Sequence, residues 1–254
     1  MITLQQKINS LAPWFHNLHL PDGTQTAPNH PLGDFPAFKW KQILGSLPKS
    51  IKDWNVLDVG CNAGFYSFEL ARMGARVTGI DIDSHYLRQA RWALGKYDLK
   101  DKVNFTKMQI YELAECSKKY DLVWFMGVFY HLRYPFLALD IISRITKRLL
   151  VFQTMTLPSP EGFEQNTNIS LFNREVMNQQ GWPRMAFIEH SIEDDPTNWW
   201  VPNHNAVMAM LRSTGFEVIA RPGDEIYICE KMAVKMSLKD MREVEFRAAI
   251  GRRW

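Results

Sequence analysis

Cysteine is scarce in this chain, which has 254 residues and only Cys61, Cys116 and Cys229, all far apart. This spacing argues against a disulfide framework or a zinc cluster, and it favours a reducing cytoplasm as the location. No apolar run approaches the roughly 18 residues that a membrane span needs, and no basic-then-apolar signal opens the chain. We therefore expect a cytoplasmic protein that is neither secreted nor embedded in a membrane.

An excess of charge of one sign is also lacking, because the formal net charge is only +3. That balance does not decide for or against nucleic acid as a partner. Hydrophobic residues make up 46% of the chain and charged residues 22%, which is typical of a soluble globular protein. The length is ample for one α/β domain with a complete core.

Apolar segments of strand and helix type alternate along most of the chain. The predicted strands are 55–60, 76–81, 102–107, 121–126, 148–154, 216–220 and 225–230, and the predicted helices among them are 63–74, 84–95, 135–146 and 203–214. This alternation predicts a mostly parallel sheet covered on both faces. The last two strands are separated only by the turn 222–224, so we expect the final strand to be antiparallel.

The regions outside this pattern define the predicted domain organisation. Residues 1–50 are interpreted as a cap and lid, with helices at 3–13 and 38–47 and a proline-rich loop at 21–37. Residues 51–231 are predicted to form the main domain, which carries an acceptor-side insertion at 156–201. Residues 232–254 contain a predicted basic helix at 237–249.

A glycine turn between the first strand and the first core helix is the main functional signal. Gly60 and Gly64 allow a ligand to approach the backbone at a helix N-terminus, where free N–H groups favour an anionic group. Asn62 stands between them, and asparagine tolerates a positive φ better than most residues. Asp81 ends the second strand, where a carboxylate accepts hydrogen bonds from both ribose hydroxyls. Together these features predict a nucleoside-binding unit.

The order and spacing of residues 55–231 resemble those of the class I S-adenosylmethionine-dependent methyltransferases. The resemblance rests on Asp58, the run Gly60-x-x-x-Gly64, and the apolar Ile82 after the ribose acid. It implies a Rossmann-like α/β fold with a seven-stranded sheet whose last strand is antiparallel, and S-adenosylmethionine as the cofactor. The residues assigned to the cofactor site are Lys39, Trp40, Asp58, Gly60, Asn62, Gly64, Asp81, Ile82, Gln109, Ile110 and Met126.

A narrower resemblance involves Met126-Gly127-Val128-Phe129-Tyr130-His131 and the pair Lys39-Trp40. Both are similar to segments of the tRNA wobble-uridine carboxymethyltransferase family, over residues 38 to 220. The family fold places the first segment beside the sulfonium, with Tyr130 facing the transferring group. That family holds its carboxylated donor with an upstream lysine, which the stretch 18–21 lacks. We therefore favour ordinary S-adenosylmethionine as the donor.

Methyl transfer to a hydroxyl or ammonium group requires a general base. His131 is the preferred candidate because it follows the fourth strand, where ligands of open α/β sheets bind. Tyr130 is expected to orient the acceptor, and His16, His19 and His190 remain open as alternative bases. A structural capping role is equally open for His131, and for His16 and His19 an ordinary surface or packing role is favoured. A metal site is not predicted, since the histidines show no recognised ligand spacing.

The insertion contains several aromatic residues, Trp182, Phe187, Trp199 and Trp200. They are expected either to line an acceptor pocket or to cover the sheet edge. The residues assigned to substrate binding are His16, Asn198, Trp199 and Asn203.

The C-terminal helix carries cations that suit RNA phosphates, but Asp240, Glu243 and Glu245 dilute them, which favours a solvated amphipathic helix. Phe246, Ile250 and Trp254 are expected to dock this helix on the body of the protein or on a second subunit, as in a homodimer.

These features predict an S-adenosylmethionine-dependent methyltransferase that modifies oxygen or nitrogen of a small polar metabolite. A less favoured alternative is an enzyme that modifies the wobble uridine of tRNA. Another is an enzyme that reacts the aminopropyl side chain of the cofactor and releases methylthioadenosine.

Overall fold

The computed structural model describes residues 2–160, 162–163, 168–232 and 239–252. The strands are β1 Asn55–Val59, β2 Arg76–Asp81, β3 Val103–Lys107, β4 Tyr120–Met126, β5 Thr146–Gln153, β6 Met185–Phe187, β7 Trp200–Pro202, β8 Phe216–Gly223 and β9 Ile226–Lys231. The α-helices are α1 Leu4–Ser10, α2 Phe35–Leu44, α3 Phe65–Arg72, α4 Ser84–Leu94, α5 Pro135–Ile145, α6 His204–Ser213 and α7 Lys239–Ala249.

A seven-stranded sheet forms the centre of the fold, in the order β3-β2-β1-β4-β5-β9-β8. β1 pairs in parallel with β2 and β4, β2 pairs in parallel with β3, and β8 and β9 are antiparallel. Val56 and Leu57 of β1 and Trp124 of β4 are fully buried, as expected for strands covered on both faces. The predicted α/β fold class is confirmed.

The chain divides into two compact units. One contains the chain up to Phe125 together with Ile145–Val151, and the other contains Met126–Arg144 and the chain from Phe152 onward. In the first unit, the N-terminal segment packs on α4, where the Gln89 amide donates to the carbonyls of Leu11 and Pro13 at 2.6 and 2.8 Å.

Two local features differ from the sequence prediction. α2 begins at Phe35 rather than at residue 38, because Pro36 lies in its first turn, where a proline is compatible with a helix. The insertion, in which no strand was expected, contains a short antiparallel pair formed by β6 and β7. Each of these strands has three residues, too few for an alternating pattern to appear in the sequence.

The C-terminal helix α7 packs on its own unit. Phe246 is buried, and the Arg144 guanidinium of α5 lies 3.6 Å from the centre of its ring. Glu243 accepts hydrogen bonds from Arg144 and Arg247, each at 2.8 Å. Part of the positive charge of this helix is therefore paired internally, while Trp254 lies outside the described residues.

Candidate active site

The glycine turn links β1 to α3 in the first unit. Gly60, Asn62 and Gly64 have φ angles of 69°, 51° and 90°, so the turn uses the left-handed conformations that its residues favour. A Cβ atom on Gly64 would lie 2.7 Å from Cζ of Phe105. Both the backbone angle and the close approach of Phe105 therefore require glycine at this position.

The backbone N–H groups of this turn are arranged differently from the prediction. All five N–H groups of residues 60–64 donate to oxygens of the turn itself or of β2. The N–H groups of Phe65 and Tyr66, which open α3, have no hydrogen-bond partner among the described residues. The unbonded donors at this helix N-terminus therefore lie just after the glycines.

Asp81 stands at the tip of β2, as predicted. One carboxylate oxygen accepts from the Asn62 N–H at 2.9 Å and the other from the Asp83 N–H at 2.8 Å. A carboxylate oxygen accepts two hydrogen bonds, so each retains capacity for a ligand hydroxyl. The neighbouring Ile82 is 57% exposed, which leaves its apolar side chain open to an adenine ring.

Asp58 lies inside the protein rather than at its surface. The Ser67 hydroxyl donates to its carboxylate at 2.6 Å. Burial raises the pKa of Asp58 to about 7, and the hydrogen bond from Ser67 opposes that shift. Asp58 therefore anchors the start of α3, and any effect on a ligand is indirect.

The other residues assigned to the cofactor in this unit have mixed surroundings. Trp40 is buried, with its ring 5.6 Å from that of Trp124. Lys39 is half-buried, with its ammonium 5.8 Å from the Phe35 ring. Gln109 accepts from the N–H of Ile110, which is buried, so both residues belong to the turn that follows β3.

The residues that surround the turn fit S-adenosylmethionine. The unbonded N–H groups of Phe65 and Tyr66 suit its carboxylate, Asp81 suits its ribose, and Ile82 suits its adenine. Nδ1 of His16 is a buried polar atom without a partner among the described residues, and the His16 ring packs against the rings of Phe65 and Tyr66. When bound, the cofactor supplies an electrophilic methyl carbon.

In the second unit, His131 is held by two residues that the sequence did not reveal. Its Nδ1 lies 2.9 Å from the Thr197 hydroxyl, which donates to Asp195 at 2.6 Å. Because the hydroxyl proton is committed to Asp195, the Thr197 oxygen accepts the proton of Nδ1. Nε2 of His131 is therefore the unprotonated nitrogen, as a general base requires.

Burial lowers the pKa of His131, and the nearby Asp195 carboxylate, 3.8 Å from Nδ1, opposes that shift. The imidazole is accordingly neutral near pH 7.

Tyr130 lies next to this group, with its ring 4.3 Å from that of His131. Burial, together with the charges of Glu225 and Asp195, raises its pKa to about 12, so the phenol stays protonated. Glu225 is fixed by the Gln153 amide at 3.2 Å and by a backbone N–H at 2.9 Å. A Cβ atom on Gly127 would lie within 3.8 Å of both the Tyr130 hydroxyl and the Gln153 amide oxygen. The Tyr130 hydroxyl and the Gln153 amide oxygen therefore both lie beside Gly127.

Met126, the last residue of β4, is buried just before this segment.

The aromatic residues of the insertion form a partly exposed cluster. The rings of Phe187 and Trp199 are nearly parallel, with centres 6.2 Å apart, and the Arg133 guanidinium lies 4.3 Å from the Trp199 ring. The Trp199 N–H donates to the Tyr130 carbonyl at 2.8 Å. This bond links the cluster to the segment that carries the candidate base.

Two asparagines assigned to substrate binding have structural partners. Asn203 caps α6, where its side-chain oxygen accepts from Ala206 and Arg184, and its amide donates to the Trp182 carbonyl. These bonds give Asn203 a structural role. Asn198 donates to the Ile192 carbonyl, but its buried side-chain oxygen has no partner among the described residues.

The other two histidines considered as alternative bases, His19 and His190, lie at the surface. His19 lies 2.6 Å from the Asp34 carboxylate with about half of its side chain exposed, and His190 is exposed on a bend. Within the described ranges, no group of three or more His, Cys, Asp or Glu residues is placed to hold a metal ion. No helix in those ranges is long and apolar enough to cross a membrane.

Comparisons with known proteins bear on the fold and on the class of enzyme. The model of a methyltransferase domain matches residues 56–148. The tRNA U34 carboxymethyltransferase of Cellvibrio japonicus is 27% identical over 226 residues, 84% of this chain and 59% of that protein. Its counterpart from Helicobacter pylori strain G27 is 29% identical over 128 residues, 49% of this chain and 48% of that protein. The chain therefore spans between about half and three fifths of the length of these curated relatives.

Among solved structures, the N-terminal domain of EvdMO1, determined in the presence of SAH and D-fucose, has a TM-score of 0.58 and 17% identity. The match covers 91% of this chain and 96% of that domain. The predicted methyltransferase class is confirmed by the domain match, and with it the predicted cofactor, S-adenosylmethionine. The chain has the methyltransferase domain and the fold of the class I S-adenosylmethionine-dependent methyltransferases, and in sequence it is similar to the tRNA U34 carboxymethyltransferases.

Proposed function

We propose that this protein transfers a methyl group from S-adenosylmethionine to an oxygen or nitrogen of a small polar metabolite. The observation that carries the proposal is the fixed tautomer of His131. Thr197 and Asp195 hold the Nδ1 side of the ring, and the lone pair of Nε2 is available to accept a proton.

In the proposed reaction, the acceptor atom bonds to the methyl carbon as the carbon–sulfur bond breaks, and the acceptor proton passes to Nε2 of His131. The Asp195 carboxylate stabilises the imidazolium that results. Tyr130, protonated over the working pH range, donates a hydrogen bond that orients the acceptor. The main contributions are orientation and proton removal.

The charges around Tyr130 support a neutral or cationic acceptor. Glu225 and Asp195 are both close enough to raise the pKa of Tyr130, and Glu225 is held by two hydrogen bonds. Fixed carboxylates favour hydroxyl and ammonium groups and repel phosphate and carboxylate groups.

A second candidate function is modification of the wobble uridine of tRNA. It is favoured by the similarity to proteins named tRNA U34 carboxymethyltransferase, at 27 to 29% identity. This alternative predicts tRNA binding that weakens steeply with salt and falls when the C-terminal arginines are neutralised. Arg247 of α7 is already paired with Glu243, which reduces the positive charge available there.

One experiment separates these functions. The protein is incubated with methyl-labelled S-adenosylmethionine and either a small-metabolite extract or purified tRNA, and the products are identified by mass spectrometry. The proposal expects S-adenosylhomocysteine and labelled metabolites, with labelling lost in His131→Gln. Label confined to tRNA would support the second candidate. Methylthioadenosine as the nucleoside product would contradict both functions.

A further inference from the structure

His16 is a buried histidine whose hydrogen bonding is incomplete. Only 6% of the residue is exposed, and its Nδ1 has no hydrogen-bond partner in the described part of the chain. Leaving a buried polar atom unbonded destabilises a folded protein. Such an atom in a native protein therefore requires an explanation, and a ligand that completes the bond is one.

The position of the His16 ring is fixed by its surroundings. The ring centre lies 5.8 Å from that of Phe35, 6.4 Å from that of Phe65 and 5.7 Å from that of Tyr66. The His16 carbonyl accepts a hydrogen bond from the buried Thr26 hydroxyl at 3.3 Å. The unbonded nitrogen is therefore carried by a ring packed against the two residues that open α3.

The same two residues supply the unbonded N–H groups at the start of α3. Gly64, the residue before the helix, has no side chain to cap it, and the helix is eight residues long. In the proposed function, these N–H groups receive the carboxylate of the cofactor's amino-acid end. The buried, unbonded nitrogen of His16 therefore belongs to a ring that packs against the side chains of the same two residues.

The charge state of His16 determines whether its ring can offer a positive charge or only a hydrogen bond to a ligand. Burial, assisted by the charges of Lys39 and His30, lowers its pKa to about 3. The imidazole is therefore neutral at working pH, which excludes it as a cation there. A neutral imidazole still has one N–H donor.

We propose that His16 is a donor-site residue whose Nδ1–H hydrogen-bonds the carboxylate of the bound cofactor, beside the N–H groups of Phe65 and Tyr66. This inference rests on the proposed function and assigns His16 to the methyl donor rather than to the acceptor or to proton transfer. It also explains why a polar atom persists in an otherwise aromatic pocket.

Calorimetric titration with two ligands tests the assignment. S-adenosylhomocysteine has the amino-acid end, and methylthioadenosine lacks it. His16→Phe keeps a packed ring but removes the donor, so we expect affinity for S-adenosylhomocysteine to fall about tenfold or more, with methylthioadenosine unaffected. His30→Phe, which removes an imidazole from the same aromatic cluster, is the matched control and is expected to change neither affinity.

A measurement on the wild-type protein covers the case in which His16→Phe fails to fold. Nitrogen-15 NMR is expected to show the His16 Nδ1 resonance shifting with S-adenosylhomocysteine but not with methylthioadenosine. Equal weakening of both ligands in the variant, or no effect on either, would overturn the inference, as would an unmoved resonance. If the wild-type protein binds neither ligand, the proposed function itself fails.

Discussion

Thr197 donates its hydroxyl proton to Asp195 across 2.6 Å, and this bond determines the protonation of a third residue. Since the Thr197 oxygen is left as an acceptor for Nδ1 of His131, the ring is held as the Nδ1–H tautomer. The arrangement resembles the base and orienting carboxylate of hydrolytic triads, in which the carboxylate fixes the tautomer and does not itself take the proton.

Replacing His131 with glutamine is expected to lower kcat by about 10²- to 10⁴-fold, the usual contribution of a general base. The affinity for S-adenosylhomocysteine is expected to stay unchanged, because Asp81, Ile82 and the start of α3, which fit the donor, lie outside the segment that carries His131. Steady-state kinetics with the acceptor that the labelling experiment identifies, combined with calorimetry, provide the measurement. A variant with full activity would exclude His131 as the base.

The pH dependence of kcat provides a second test of His131 as the general base. A base acts when unprotonated, and burial holds the pKa of His131 below its ordinary value of 6.5, so kcat should rise along an acid limb centred below pH 6.5 and then level off. Asp195 holds this pKa up, so Asp195→Asn should move the acid limb of the kcat profile to lower pH while reducing the plateau. An acid limb that does not move in Asp195→Asn would show that Asp195 does not raise the pKa of His131.

Asp81 is predicted to account for part of the affinity for the nucleoside. Asp81→Ala should weaken S-adenosylhomocysteine binding about 10- to 100-fold, because a charged acceptor for the ribose is lost. Asp81→Asn, which keeps one acceptor oxygen, should have the smaller effect. Asp53, in an exposed ion pair with Arg76 at the opposite end of β2, provides the control, and Asp53→Ala should leave binding unchanged.

Alanine substitutions at Gly64 and Gly23 distinguish the cost of backbone strain from the cost of crowding by a neighbouring side chain. Their φ angles are similar, 90° and 85°, but a Cβ on Gly64 would lie 2.7 Å from Phe105, while none of the surroundings of Gly23 comes within 4 Å. Gly23→Ala should therefore lower the free energy of unfolding only through backbone strain, by about 1–3 kcal/mol. Gly64→Ala should lower it clearly more, because the added Cβ also crowds Phe105. Urea unfolding measures both, and equal losses would show that Phe105 moves aside easily.

The sheet and the donor turn could be predicted because their signals are local. Buried parallel strands appear as apolar runs, and the glycine turn and Asp81 stand at fixed distances along one βαβ unit. The early start of α2 also had a local signal, the sequence Asp34-Phe35-Pro36, because proline is common in the first turn of a helix.

The partners that hold His131 and surround Tyr130 could not be predicted because these contacts join residues that are distant in sequence. His131 and Thr197 are 66 residues apart, and Thr197 lies in an insertion without a periodic pattern. Glu225 is 72 residues from Gln153. The burial of His16 likewise depends on aromatic residues brought together only by the fold.

Asn203 is predicted to matter for stability rather than for binding. Its side chain caps α6 and also bonds the backbone of Arg184 and Trp182. Asn203→Ala should lower the free energy of unfolding by about 1–3 kcal/mol, since it removes a helix cap and leaves buried backbone groups unpaired. Unchanged affinity for S-adenosylhomocysteine, measured on the same sample, should accompany this loss.

The buried carboxyl of Asp58 is expected to make the free energy of unfolding depend on pH. The carboxyl titrates near 3.8 in the unfolded chain and near 7 in the folded protein, because burial disfavours its charge. Between these values the folded state binds more protons, so the contribution of Asp58 to stability falls as pH rises and is fully lost above the folded pKa. Asp58→Asn abolishes this titration and keeps a similar shape.

The difference in Tm between Asp58→Asn and the wild-type protein should therefore shift in favour of the variant as pH rises from about 5 to 8. Asp53→Asn, at an exposed position, should show no such trend. Circular dichroism without ligand measures all three proteins. A difference that stays constant with pH would mean that Asp58 is ionised in the folded protein throughout this range, and that its bond to Ser67 outweighs the cost of burial.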